Sequence, residues 1–247
     1  MPATRIEFEG HDAWLKQPEP SVRLSRRLGL RLLGVVARAL RVPALRPPRH
    51  HAGADALTVE RRRLRELAAL GVRVPPVLDE PAGDRLCLGD LGRSLAWWLR
   101  RARGDEARTD RLARLAAGAI GEVHARGGYL GQPVPRNIVF DGRRIGFIDF
   151  EEDPLEVMSL PAAQSRDWLL FVFGVAPYFP DRREALAAAL GEALRSESAP
   201  ALAALREAGE HLAPVSRIPP WLGRPALAAA NAVLAIRTGL ELLPPLF

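Results

Sequence analysis

Arg5-Ile6-Glu7-Phe8-Glu9 alternates charged and apolar residues, the period of a half-buried strand. Gly10-His11-Asp12 reads as a turn and Ala13-Trp14-Leu15-Lys16 as a second strand. Residues 4–17 are therefore expected to form a hairpin, ended by Pro18 and Pro20. Residues 21–42 carry a helical period. On a helical wheel Arg23, Arg26, Arg27, Arg31, Arg38 and Arg41 fall within an arc of about 140°. Leu24, Leu28, Leu32, Leu33, Val35, Val36 and Leu40 fill the opposite side, with Leu30 the exception. Residues 43–54, with adjacent His50 and His51, read as a loop. A helix over about 57–70 then sets Leu57, Leu64, Leu67 and Leu70 on one side and stops at Gly71. Short strands at 72–78 and 85–88 flank a turn at 81–84. A helix at 94–103 follows, then one capped by Thr109 that runs to about Arg126 and ends at Gly127-Gly128. Asn137–Phe140 and Ile145–Ile148 around Asp141-Gly142 give a hairpin signal. The remainder is helical, over about 162–174, 182–195, 199–210 and 222–242. Strands first and helices last predict an α+β fold.

Composition narrows the class. The chain has 247 residues, 48% apolar and 26% charged, which excludes a disordered or fibrous protein and suffices for a buried core. Its single cysteine, Cys87, excludes a disulfide framework and a cysteine-rich zinc site, and suits a reducing cytosol. The longest uncharged stretch near the C-terminus, Pro225 to Ile236, is shorter than the roughly 20 apolar residues of a membrane span. Charged residues from Arg5 to Asp12 interrupt any leader-like apolar run. A cytoplasmic protein is expected. The formal charge is +6, and of 35 basic residues only Lys16 is lysine. A bias toward arginine this strong reflects GC-rich coding. The lone lysine is then either an accident or a place where a compact point charge serves and a planar fork does not.

The segment Leu130-Gly131-Gln132-Pro133-Val134-Pro135-Arg136-Asn137, the hairpin, and then Ile148-Asp149-Phe150-Glu151 together resemble the catalytic segment of the protein-kinase-like superfamily. The Asp-Phe-Glu variant is most similar to bacterial lipopolysaccharide core kinases, which phosphorylate Kdo or heptose, and to the small KEOPS-type atypical kinases. Ala13-Trp14-Leu15-Lys16 resembles the V-A-I-K strand whose lysine pairs the nucleotide phosphates. The resemblance implies a two-lobed fold. A reduced N-terminal sheet lobe would span 1–90, with helix 21–42 inserted before helix 57–70. A helical C-terminal lobe would span 91–247 and carry a catalytic-type loop at 130–151. Leu88-Gly89-Asp90-Leu91-Gly92 would be the hinge. The resemblance further implies that Lys16 and Glu60 form the nucleotide-side ion pair, with Glu66 as the alternative partner. Asn137 and Asp149 would hold Mg²⁺ beside ATP. Asp167 would anchor the catalytic loop, and His124 would be a packed residue.

Three features depart from that pattern, and all concern transfer or phosphate cover. Gln132 stands where these kinases carry the catalytic aspartate, and an amide accepts no proton near neutral pH. Val134 replaces the usual Lys or His. Little chain precedes residue 5 to form a glycine-rich phosphate lid. Two readings follow. One is an ATP-dependent phosphotransferase acting on a sugar or glycolipid at the membrane surface, with Glu151, Glu152 or Asp153 assisting and Arg136 supplying positive charge. The other is a pseudokinase that binds nucleotide, or none, and acts as a scaffold. The basic charge also suits an anionic surface. Trp97-Trp98 alone does not make an aromatic stacking platform, so nucleic acid is not favoured. Helix 21–42 could lie peripherally on an anionic inner membrane or pack on the protein itself.

Overall fold

Glu9 and Gly10 both take positive φ, 50° and 78°, the geometry of a two-residue turn whose twist matches paired strands. They join β1 (Ala3–Phe8) to β2 (His11–Lys16) in register, Phe8 opposite His11. The turn is thus shorter than expected, and His11 and Asp12 belong to the strand. The computed structural model describes residues 3–18, 42–79, 85–217, 221 and 223–244. The basic helix expected at 21–42 lies outside the described residues except for buried Val42, as does the turn at 81–84.

β3 (Val77–Asp79) and β4 (Leu86–Gly89) complete an antiparallel sheet of order β1-β2-β4-β3. Lys16, the last residue of an inner strand, pairs with Ala3 on one side and Leu86 on the other. The strand expected at 72–78 shortens to β3 because Pro75 and Pro76 offer no N–H to a ladder. Helix α1 (Ala54–Ala69) begins three residues before the expected 57–70. Leu57, Glu60, Leu64 and Leu67 recur at three- and four-residue steps, so one glutamate shares the buried face of three leucines. Leu70, expected on that face, is the partly exposed C-cap.

A second antiparallel sheet follows after three residues. β5 (Arg93–Ser94) pairs with β6 (Ile138–Phe140), which pairs with β7 (Ile145–Phe147). Gly92 makes the crossing possible: its φ is +108°, and a Cβ there would lie 3.3 Å from the Asp141 Cα and the Phe140 carbonyl. The Ser94 side chain caps α2 (Leu95–Arg101) by accepting from the Trp97 N–H. Helix α3 (Glu106–Ala125) is capped by Asp105, which accepts from the Arg108 N–H at 2.9 Å. Thr109, expected as that cap, sits in the first turn, where its hydroxyl donates to the Asp105 and Ala102 carbonyls. Arg126 and left-handed Gly127 end α3 as expected.

Helices α4 (Leu160–Val175), α5 (Arg183–Leu194), α6 (Ala199–His211) and α7 (Arg224–Glu241) form the rest of the core around fully buried Trp168, Phe171 and Phe179. Arg166-Asp167 lies about two turns inside α4. The fold class is α+β, with small antiparallel sheets and several helices. Among the described residues no helix is long and apolar enough to cross a membrane.

Candidate functional site

Lys16 ends β2 beside the buried face of α1. Its Nζ donates to both oxygens of Glu60, at 2.7 and 2.9 Å, and Glu60 is wholly buried. The same Nζ donates to Asp149 Oδ1 at 3.2 Å and lies 3.6 Å from Glu151 Oε1. One ammonium thus faces three carboxylates, two of them from a loop more than 130 residues away in sequence. Burial pulls the Lys16 ammonium down, but Glu60, Asp149 and Glu151 outweigh it and hold its pKa above the ordinary value. Burial raises the Glu60 carboxyl against the pull of Lys16. Asp149 follows β7 with φ +74°, a left-handed conformation that a non-glycine residue rarely takes. Its side chain keeps 31% of its exposure, against 9% for Lys16.

The loop before β6 is tied down from below. Asp167, fully buried on α4, accepts from the Leu130 N–H at 2.6 Å and the Gly131 N–H at 2.7 Å. Its neighbour Arg166 donates to the carbonyls of Gly131, Ala44 and Arg46. That side chain joins the 130–137 loop to the segment before α1. Asn137 donates its side-chain N–H to the Gln132 carbonyl at 3.2 Å, and its own carbonyl accepts from the Ile148 N–H at 2.9 Å. Asn137 and Asp149 are therefore held at adjoining strand ends. Gln132 Nε2 donates to Glu152 Oε2 at 2.9 Å. Leu130, Gly131, Gln132, Asp149, Glu151 and Glu152 line a small cleft that is open to solvent.

Of the residues singled out by sequence, Lys16, Glu60 and Asp149 meet directly. Gln132 and Asn137 lie in the adjoining loop. Glu66 is no partner of Lys16, since its carboxylate accepts from Arg62 and Arg63 of α1 itself. Asp153 is committed elsewhere. Tyr129 donates to it at 2.6 Å, Arg62 at 2.7 Å and the Leu155 N–H at 3.0 Å. Burial raises that carboxyl, but these donors outweigh it and hold it below the ordinary range. Arg136 is exposed. His51 points to Glu156 at 3.0 Å.

His124 is packed, at the C-terminal end of α3, between two carboxylates. Its Nε2 lies 3.2 Å from Asp167 Oδ2 and its Nδ1 2.6 Å from Glu197 Oε2. Glu197 also accepts from the Trp168 indole at 2.7 Å. Burial lowers the imidazolium, but both carboxylates raise it more, to a pKa of about 9. Sequence reasoning missed Glu197, the staple made by Arg166, and Tyr129. Their partners lie 24 to 122 residues away, and no local pattern marks such distances.

Among the described residues no three His, Cys, Asp or Glu side chains are grouped to hold a metal ion. A magnesium ion beside Lys16 would take protein oxygens from Asp149 and Asn137 and its remaining ligands from phosphate and water, the usual manner of Mg²⁺ at nucleotide sites. The chemistry of the donors suits that ion: a partly exposed carboxylate and a side-chain amide, both oxygen ligands. No protein-family model matches the chain, and no curated protein matches it in sequence.

Proposed function

We propose that the protein is a two-lobed, protein-kinase-like phosphotransferase that uses ATP and Mg²⁺. The observation that carries this reading is the Lys16–Glu60–Asp149 contact. The chain's only lysine is bound by both oxygens of a wholly buried glutamate and reaches an aspartate 133 residues later. The small lobe would comprise residues 1–90 and the helical lobe 91–247, joined at 88–92. Lys16 would pair the nucleotide phosphates, oriented by Glu60. Asp149 and Asn137 would hold Mg²⁺, which neutralises charge developing on the transferring group. Asp167 and Arg166 would keep the 130–137 loop in shape for that task. The acceptor class that fits the resemblance is a sugar or glycolipid hydroxyl, presented at the cytoplasmic face of a membrane to which residues 21–42 would bind.

Isothermal calorimetry with ATP, with and without Mg²⁺, on the wild type and Asp149→Asn tests the site. The reading expects binding that needs Mg²⁺ and weakens at least tenfold in Asp149→Asn. Absence of binding at millimolar ATP overturns it. A second reading, a nucleotide-binding pseudokinase, rests on Gln132, an amide where the resemblance puts the proton acceptor. It expects the same binding with no turnover.

A further inference from the structure

Gln132 and Glu152 lie 20 residues apart and meet in the cleft, the amide nitrogen donating to the carboxylate at 2.9 Å. Both residues line that cleft together with Asp149. The amide cannot take a proton, but its N–H orients a group that can. Glu152 is held on a short leash, three residues beyond Asp149, and is 8% exposed. The Arg166 guanidinium lies within Coulombic reach of it from α4. Asp153, the next residue, has its carboxylate committed to Tyr129, Arg62 and a backbone N–H. Glu151 is turned to Lys16, at 3.6 Å. Of the three acidic residues in this run, Glu152 is the one that contacts position 132.

We infer that Glu152 is the catalytic proton acceptor of this protein and Gln132 its positioning residue, the carboxylate having moved from the loop before β6 to the loop after β7. The inference rests on the phosphotransferase reading. The acceptor hydroxyl oxygen forms a bond to the γ-phosphorus as the bond from that phosphorus to the β,γ-bridging oxygen breaks. ADP leaves with the bridging oxygen, and the hydroxyl proton passes to Glu152 and from there to solvent. Gln132 donates one hydrogen bond throughout, so the carboxylate does not swing toward Lys16. The amide at 132 is then one half of a two-residue base, and its presence does not mark lost function.

The test uses the whole chain with water as the probe acceptor, measuring ADP release from Mg·ATP together with ATP affinity by calorimetry and the thermal midpoint. Glu152→Gln keeps size and hydrogen bonding, and is expected to lower turnover about 100-fold or more with ATP affinity changed less than threefold. The decisive variant exchanges the pair, Gln132→Glu with Glu152→Gln. It retains one carboxylate and one amide in contact, and is expected to recover turnover to within about tenfold of wild type. A merely structural role for Glu152 would instead lower the thermal midpoint of Glu152→Gln in step with its turnover, whereas the inference expects turnover to fall with the midpoint unchanged. Turnover of Glu152→Gln within threefold of wild type, or an exchanged pair as inactive as the single variant, overturns the inference. So does a wild type that binds Mg·ATP without turnover, which leaves the nucleotide site standing. A wild type that binds no ATP removes the phosphotransferase reading and this inference with it.

Discussion

Two buried charge clusters among the described residues differ in design. Around His124, one cation meets two carboxylates, and every member is shut from solvent. Asp167 is filled by two backbone N–H groups besides the imidazole, and Glu197 by the Trp168 indole. Around Lys16, one cation meets three carboxylates, and Asp149 stands partly in water. The first cluster joins α3, α4, the 130–137 loop and the start of α6. The second joins a strand, a helix and the loop after β7 at the wall of a cleft. A closed cluster with donors matched to acceptors serves to hold elements together. The open one, around Lys16, stands at the wall of a cleft, where Asp149 keeps part of its side chain in water and within reach of a ligand. Burial alone does not distinguish the two, since Glu60 is as buried as Asp167.

Variants that remove one member should separate these designs. The largest effect is expected from Asp167→Ala, which strands two buried N–H groups and leaves Glu197 as the only carboxylate beside His124. Urea unfolding should show a loss of about 3–5 kcal/mol. Next comes pH. A histidine whose folded pKa is raised stabilises the fold fully below its unfolded value of about 6.5 and loses that contribution as pH climbs through the folded value. With His124 near 9, stability should fall by about 3 kcal/mol between pH 6.5 and pH 9.5. His124→Gln should abolish that slope, and a slope that survives in the variant refutes the assignment. The open cluster is expected to respond far less. Asp149→Asn should lower the free energy of unfolding by under about 1 kcal/mol, since Lys16 keeps Glu60 and the Asp149 side chain is partly solvated. A loss comparable to Asp167→Ala would erase the distinction between the clusters.

Much of this architecture is legible in the chain because its signals are local. The Asp-Gly hairpin, the helix-ending Gly127 and the helices after residue 160 follow from period and turn chemistry. Lys16 stood out because the composition made it unusual. Glu60 was expected on its helix, but only the structure shows it on the same buried face as three leucines. Where two residues compete for one task, local pattern fails. Asp105 caps α3 while Thr109, an equally good capping residue four positions on, bonds the preceding carbonyls. Contacts between distant segments leave no pattern at all. Arg166 is one arginine among 34 until its guanidinium is found on the Ala44 and Arg46 carbonyls. The Gln132–Glu152 pair has the same character, because each residue is unremarkable until the two are seen in contact.

The left-handed backbone of Asp149 bears on how this chain can change over generations. Keeping an aspartate at φ +74° costs on the order of 1 kcal/mol relative to a glycine. A lineage with no use for the carboxylate could relieve that strain by a single substitution to glycine. The aspartate is thus held in a conformation that only its function favours over glycine. In any relative of this protein, position 149 is the first place to look for whether the cleft is still under selection.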